Sequence, residues 1–289
     1  MMKHAVKMKQ AIRTILPRPI LNRYVDFMDR LRLEQVPQKS FDAGNLRSVA
    51  SLDLSRFFFD PEIVAAWEED HAKIASLFYP DKELFFGVNP GDRRAIYFLI
   101  MALKPRNVLE IGTHIGASTI SIAAALRRLN EGRKLTTVDI VDVNHPEHGP
   151  WRTCMSKSPA NCARELGLLD QIHFHTGPSQ EFMRGTAQRF DFVFLDGDHG
   201  GRTVYEELSA ALPLLHKGGV ILLHDYYLAA KPLFPNGVII SGPFHAMVRI
   251  YKENAVIEVL PLGVLPWPTK LGTNVTSLAL VVKRLTEIS

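Results

Sequence analysis

Residues 107–119 read NVLEIGTHIGAST, and this short run constrains the fold more than any other part of the chain. Val108, Leu109 and Ile111 form an apolar stretch suited to a central parallel strand, with Glu110 set among them. Gly112 and Gly116 follow at once, and a helical pattern opens near Ala117. Glycine takes positive φ and lets another group approach the backbone, and the start of a helix offers N–H groups without intrahelical partners. A buried strand, a glycine turn and a helix in that order predict an α/β chain with a ligand site at the turn.

The spacing E-x-G-x-x-x-G differs from the G-x-G-x-x-G expected where a pyrophosphate lies against a helix start, which disfavours NAD. Roughly 20 residues beyond the turn, Leu135, Thr136, Thr137 and Val138 form a second run that ends in Asp139. From that position a carboxylate reaches ribose hydroxyls in Rossmann-like sheets. A glycine turn and the next strand's acid in register together point to a nucleoside-bearing cofactor.

The segment resembles motif I of class I S-adenosylmethionine-dependent methyltransferases, with Asp139 in the place of their ribose-binding acid. The resemblance implies cofactor contacts from Glu110, Gly112, Thr113, Gly116 and Ser118 in the motif and from Asp139. It adds Ser179 and Gln180 in the loop Gly177-Pro178-Ser179-Gln180, and Asp196 at a later strand end. Strand-like runs at 172–176, 190–196, 219–224, 255–260 and 275–282 alternate with helical ones, as in a parallel sheet. The expected architecture is a Rossmann-like methyltransferase fold: a mostly parallel seven-stranded sheet flanked by helices. Seven strands and an antiparallel last hairpin come from the resemblance. The expected division is an N-terminal helical extension over 1–88 and a cofactor-binding domain over 89–289.

Several local features follow from the residues. Val204, Leu208, Ala211, Leu212 and Leu215 share a helix face, Thr203 and Glu206 are spaced as a capping box, and Lys217-Gly218-Gly219 predicts the helix end. Asp60 and Pro61 predict the start of a helix with Ile63, Trp67, Ile74 and Leu77 on one face. Asn89-Pro90-Gly91-Asp92 leads into a helical run that stops before Pro105.

The likeness extends to small-molecule O-methyltransferases of the catechol and macrolide-sugar type, which use a divalent metal. Two strand ends carry that part, Asp196-Gly197-Asp198-His199 and His224-Asp225-Tyr226. In an open parallel sheet ligands bind beyond the carboxyl ends of the strands, so both ends open onto one crevice. Asp196 and Asp225 match the metal-binding acids of these enzymes. The third ligand of those families is replaced here by Tyr226 or His224, and His224 is the candidate third ligand, for Mg²⁺ or, better, Mn²⁺. His199 stands three residues after Asp196, where the resembling families place a catalytic base. An imidazole takes up and releases protons near neutral pH, which suits deprotonation of a hydroxyl.

The expected reaction is methyl transfer to the hydroxyl of a small molecule, a sugar or secondary metabolite. The alternatives are a metal-independent methyltransferase of another acceptor, an NAD-dependent oxidoreductase, and a non-catalytic methyltransferase-like protein. Only Cys154 and Cys162 occur, which argues against a disulfide framework or a zinc site and fits a cytoplasmic protein. No apolar stretch reaches membrane-spanning length. Residues 1–32 carry eight Lys and Arg against Asp26 and Asp29, a net charge of +6, which leaves −2 for the remainder. That charge lies on an amphipathic helix bearing Leu21, Tyr24, Val25, Met28 and Leu31, expected to pack on the core or on a second subunit. Neither a nucleic-acid partner nor membrane attachment is expected, and a homo-oligomer is. The loop 142–157, with His145, His148 and Trp151, and the loop 263–273, with Trp267, are expected to border the substrate pocket, and the aromatics at 57–59 and 85–86 to influence substrate choice.

Overall fold

The computed structural model describes residues 17–53, 57–77, 87–130 and 132–284. Phe85, Phe86 and the cations Lys3, Lys7, Lys9 and Arg13 lie outside the described residues. Two helices, α1 (Arg18–Glu34) and α2 (Pro61–Ala75), precede α3 (Pro90–Leu103). The alternating part then runs β1 (Asn107–Ile111), α4 (Ala117–Arg128), β2 (Lys134–Asp139), α5 (Pro159–Glu165), β3 (Ile172–Thr176), α6 (Ser179–Gly185), β4 (Phe190–Leu195), α7 (Gly201–Ala211) and β5 (Leu215–Leu223). Helix α8 (Gly242–Glu253) and the hairpin strands β6 (Ile257–Pro261) and β7 (Ala279–Lys283) complete it.

The seven strands are ordered β3-β2-β1-β4-β5-β7-β6, parallel except for β7, which runs antiparallel to β5 and β6. The order reverses between β1 and β4, so the loops after those strands diverge and leave a crevice. β1, β4 and the second half of β5 are largely apolar because helices cover both faces. One face packs Trp67, Tyr97, Phe98 and Ile120 against Val108 and Phe192. The other packs Val204, Leu208, Met247 and Ile250 against Leu109 and Val193. Phe58, Ile63 and Trp67 belong to the first core and Leu33, Val36, Phe41 and Leu46 to the second, so residues on either side of 88 are buried together.

Local chemistry explains most element boundaries. Asp60 accepts hydrogen bonds from the Glu62 and Ile63 N–H groups and starts α2, and Asn89 accepts from Asp92 N and starts α3. Helix α7 departs from expectation at both ends. Thr203 Oγ1 donates to Asp198 at 2.8 Å and does not cap the helix; the Gly201 N–H is instead bound by Asp29 of α1, at 2.9 and 3.1 Å. The helix ends at Ala211 and not at Gly218, because Pro213 cannot continue it and Leu215 already pairs with Phe190 in the sheet.

Two further expectations need correction. The loop 142–157 folds on itself: His145 Nδ1 accepts from the N–H groups of Glu147 and His148, and Trp151 Nε1 donates to His145 O. Trp267 is buried against Phe58 and Phe98 and donates to Gly91 O, so it belongs to the core. Helix α1 packs on α7 and α8, yet Tyr24, Val25 and Leu31 are exposed. Among the described residues no helix is long and apolar enough to cross a membrane.

Asp70 of α2 ties α2, α3 and α4 together. It is buried, accepts Tyr97 OH at 2.8 Å, and receives Arg128 through both Nε and Nη2 at 3.0 and 2.9 Å. Asp70→Ala leaves a buried phenol and a guanidinium without this partner and is expected to lower unfolding free energy by about 2–3 kcal/mol. Urea unfolding followed by circular dichroism measures it; a loss within error of zero would show that water replaces the carboxylate.

Candidate active site

The carboxyl ends of the central strands frame a cleft of about 780 Å³, bordered by Gly112, Asp139, Ser179, Gln180, Asp196, His199 and Asp225 among others. Its floor is the motif turn. Gly112 has φ +97°, and a Cβ there would lie 2.1 Å from Asp196 O, so only glycine lets β1 and β4 end this close together. Gly116, at φ +78°, backs onto Pro159.

Glu110 has no exposed surface. Its Oε2 accepts Thr119 Oγ1 at 2.5 Å and Thr137 Oγ1 at 2.6 Å, while its Oε1 has no partner. Burial pushes its pKa up to about 7 against the opposing hydrogen bonds from Ser118, Thr119 and Thr137. Thr113 Oγ1 and Thr137 Oγ1 lie 2.6 Å apart. Glu110, Thr113, Gly116 and Ser118 therefore brace the turn from beneath and do not border the cleft, while Gly112, Asp139, Ser179, Gln180 and Asp196 do. Asp139 accepts the His114 N–H at 2.8 Å and the Val141 N–H at 3.1 Å, which fixes its carboxylate and leaves lone pairs for further donors.

Ser179 Oγ donates to Glu207 at 2.6 Å and Gln180 Nε2 to Glu206 at 2.8 Å, so helix α7 anchors the start of α6. Glu207 was not singled out from the sequence. It borders the cleft at 2% exposure, and burial pushes its pKa up to about 7. The available signal was a carboxylate inside the apolar stripe of Val204, Leu208 and Ala211.

At the other end of the cleft, His224 is buried among three acids: Nδ1 lies 2.8 Å from Asp196 and 3.6 Å from Asp225, and Nε2 lies 3.2 Å from Asp92. The Nδ1 contact with Asp196 is a close ion pair without the alignment of a hydrogen bond. Burial alone would lower the His224 pKa, but Asp196 and Asp225 override it and hold it well above the ordinary histidine value. Each ring nitrogen of His224 faces a carboxylate, and the donor atoms that converge are those of Asp196, His199 and Asp225, without His224. Burial would likewise raise Asp225, yet His224, His199 and Lys270 hold it well below the usual carboxylate range. Asp225 adopts φ +54° and accepts from Ser277 Oγ at 3.3 Å. Asp92 is bound by Asn89, by Thr276 Oγ1 at 2.5 Å and by His224; its place after Asn89 in the sequence suggested only a helix start.

His199 completes the cluster. Its Nε2 is 3.5 Å from Asp225 Oδ2, and one donor atom each from Asp196, His199 and Asp225 lie within 4.8 Å of one another. This is a candidate donor set for a cation.

Residues 109–226 match a methyltransferase domain family. Over 218 residues the chain is 26% identical to the rhamnosyl O-methyltransferase of Mycobacterium bovis, covering 73% of this chain and 82% of that one. Among solved structures, the O-methyltransferase TomG from Streptomyces achromogenes, involved in tomaymycin synthesis and solved with S-adenosylmethionine, superposes with a TM-score of 0.51. The identity is 19%, over 78% of this chain and 91% of that one. An O-methyltransferase from Bacillus cereus in complex with S-adenosylhomocysteine gives a TM-score of 0.51 at 17% identity, over 91% and 100%. The solved structures share the fold, and the domain match and the relatives share the sequence. The domain match, the relatives and the shared fold together support a class I S-adenosylmethionine-dependent O-methyltransferase.

The elevated Glu110 pKa has a sign that can be checked. Between the ordinary value of 4.5 and about 7, the folded chain holds a proton that the unfolded chain has released, so stability falls as pH rises through that window. The contribution is on the order of 3 kcal/mol. Glu110→Gln removes it, so the variant's stability relative to the parent should increase from pH 5 to pH 8 in urea titrations. A pH-independent difference would refute the elevated pKa.

Proposed function

We propose that the chain methylates a hydroxyl group of a small molecule, a sugar hydroxyl by preference, with His199 as the base. The observation that carries this reading is the cluster of His199, Asp196 and Asp225 at the ends of β4 and β5, in the same cleft as the glycine turn and Asp139. The 26% identical relative is a rhamnosyl O-methyltransferase, which supports a sugar acceptor.

The turn fits the cofactor because Gly112, at φ +97°, ends β1 in the same cleft that Asp139, Ser179 and Gln180 border. Bound there, S-adenosylmethionine supplies an electrophilic methyl group and departs as S-adenosylhomocysteine. Asp139 would accept the ribose hydroxyls, and the start of α6 at Ser179 and Gln180, anchored by Glu207 and Glu206, would border the adenine side. A ring nitrogen of His199 takes the acceptor's proton as its oxygen attacks, and Asp225 Oδ2, 3.5 Å from Nε2, stabilises the charge the ring acquires. Holding donor and acceptor in line is the larger part of the task.

Asp196 and Asp225 offer carboxylate oxygens close together at the ends of β4 and β5, which suits a divalent ion. Two carboxylates completed by water fit Mg²⁺ or Mn²⁺. Proton transfer needs a ring nitrogen of His199 that no ion occupies, so the ion is assigned to Asp196 and Asp225 and the imidazole to the acceptor. A metal held there supplies Lewis acidity toward the acceptor hydroxyl.

Radiolabelled methyl transfer to a panel of glycosides and catechols tests this function, and labelling of catechols alone would overturn the sugar assignment. His199→Ala is expected to lower turnover at least 100-fold while S-adenosylhomocysteine affinity by calorimetry stays within about twofold. Full turnover in the variant would remove His199 as the base. Dialysis against EDTA should reduce turnover at least tenfold, with recovery on adding Mn²⁺. Unchanged turnover would leave a metal-independent enzyme that relies on His199 and Asp225.

A further inference from the structure

Helix α1 turns its polar side inward. Asn22, Asp26, Asp29 and Leu33, spaced four, three and four residues apart, face the protein: Asn22 donates to Gly237 O, Asp26 meets His245 Nε2 at 2.5 Å, Asp29 binds the Gly201 N–H, and Leu33 is buried. The opposite stripe repeats the same spacing with Ile20, Tyr24, Phe27 and Leu31, which are 52, 50, 61 and 39% exposed. A soluble surface helix normally shows the reverse polarity, so this stripe calls for an apolar covering.

The charge around the stripe identifies the occupant. Residues 1–25 contain Lys3, Lys7, Lys9, Arg13, Arg18 and Arg23 and no acid. The first two acids of the chain, Asp26 and Asp29, both face inward, and Arg18, Arg23 and Arg32 are exposed on α1 with Glu34. A second copy would bring like charges together, and the cationic residues 1–16 cannot neutralise them. A nucleic acid would satisfy the arginines but offers no apolar bed for four large side chains. We propose that α1 docks on an anionic lipid bilayer, with Ile20, Tyr24, Phe27 and Leu31 entering the acyl boundary and the flanking arginines meeting acidic headgroups. This surface lies outside the methyltransferase chemistry and does not depend on it.

Flotation of the full chain with vesicles tests the proposal, using phosphatidylcholine alone and phosphatidylcholine with about 30% phosphatidylglycerol. The chain should float with the acidic vesicles, and half a molar salt should release most of it. Phe27→Glu should weaken binding about tenfold or more, and Arg23→Ser severalfold, both with unchanged melting temperature because the side chains are exposed. Absence of flotation overturns the proposal, as does equal flotation of Phe27→Glu. A dimer by light scattering that Phe27→Glu splits, without flotation, assigns the stripe to a second copy. A lowered melting temperature in Phe27→Glu, without flotation, assigns it to residues 1–16.

Discussion

Each loop that frames the cleft leaves its strand by extending the sheet's hydrogen-bond ladder by one step. Gly112 N donates to Val138 O, Asp196 N to Ile111 O, His224 N to Leu195 O and Gly177 N to Asp139 O, all between 2.8 and 3.1 Å. Those four bonds bring the glycine turn, the β4 acid, the β5 histidine and the β3 loop into one register. Strand pairing is cooperative and rigid, so side chains at these positions inherit the precision of the sheet. The contact between Gly112 and Asp196 O is the tightest point of the arrangement. A side chain there would part β1 from β4, and so part the cofactor cradle from the acids beside the acceptor.

Within that frame, a buried histidine sets much of the electrostatics. Three carboxylates as close as Asp92, Asp196 and Asp225 would repel one another strongly in a low-dielectric site. His224 lies between them, and Asp92 is further held by Asn89 and Thr276. β7 begins only at Ala279, although the apolar pattern starts at Val275. Thr276 and Ser277 instead direct their hydroxyls to Asp92 and Asp225. Two residues of sheet are thereby exchanged for two hydrogen bonds to the acidic cluster.

The parts of the fold that were legible in the sequence are those governed by local rules. Asp60 and Asn89 cap helices because a short polar side chain before a helical pattern has few other uses, and the glycine turn declares itself through spacing. What escaped depends on partners distant in sequence. The Gly201 N–H is satisfied by Asp29, 172 residues away, so Thr203 was free to bind Asp198 although its spacing with Glu206 suggests a capping box. His224 read as a metal ligand because it stands beside Asp225 in the place of the resembling families' third ligand; a neighbour the sequence did not reveal is Asp92, 132 residues earlier. Trp267 read as a pocket lid because it lies in a loop, yet burial against Phe58 and Phe98 gives it a core role.

Helix α1 shows the same limit in its simplest form. Periodicity establishes that a helix has an apolar face and a polar one, but not which of them meets the protein. Here the answer rests on Asp29, whose carboxylate replaces the missing cap at the N-terminus of α7, two residues beyond His199. A hydrophobic residue at that position would bury more apolar surface and leave the Gly201 N–H without its acceptor, a loss of about 1–3 kcal/mol. The polar face is therefore the one that fits, and the apolar face is left to the outside. Fixing the entry of α7 also fixes the segment from Asp198 to Gly201, so the helix that presents an apolar stripe outward is the same helix that steadies the loop of the proposed base.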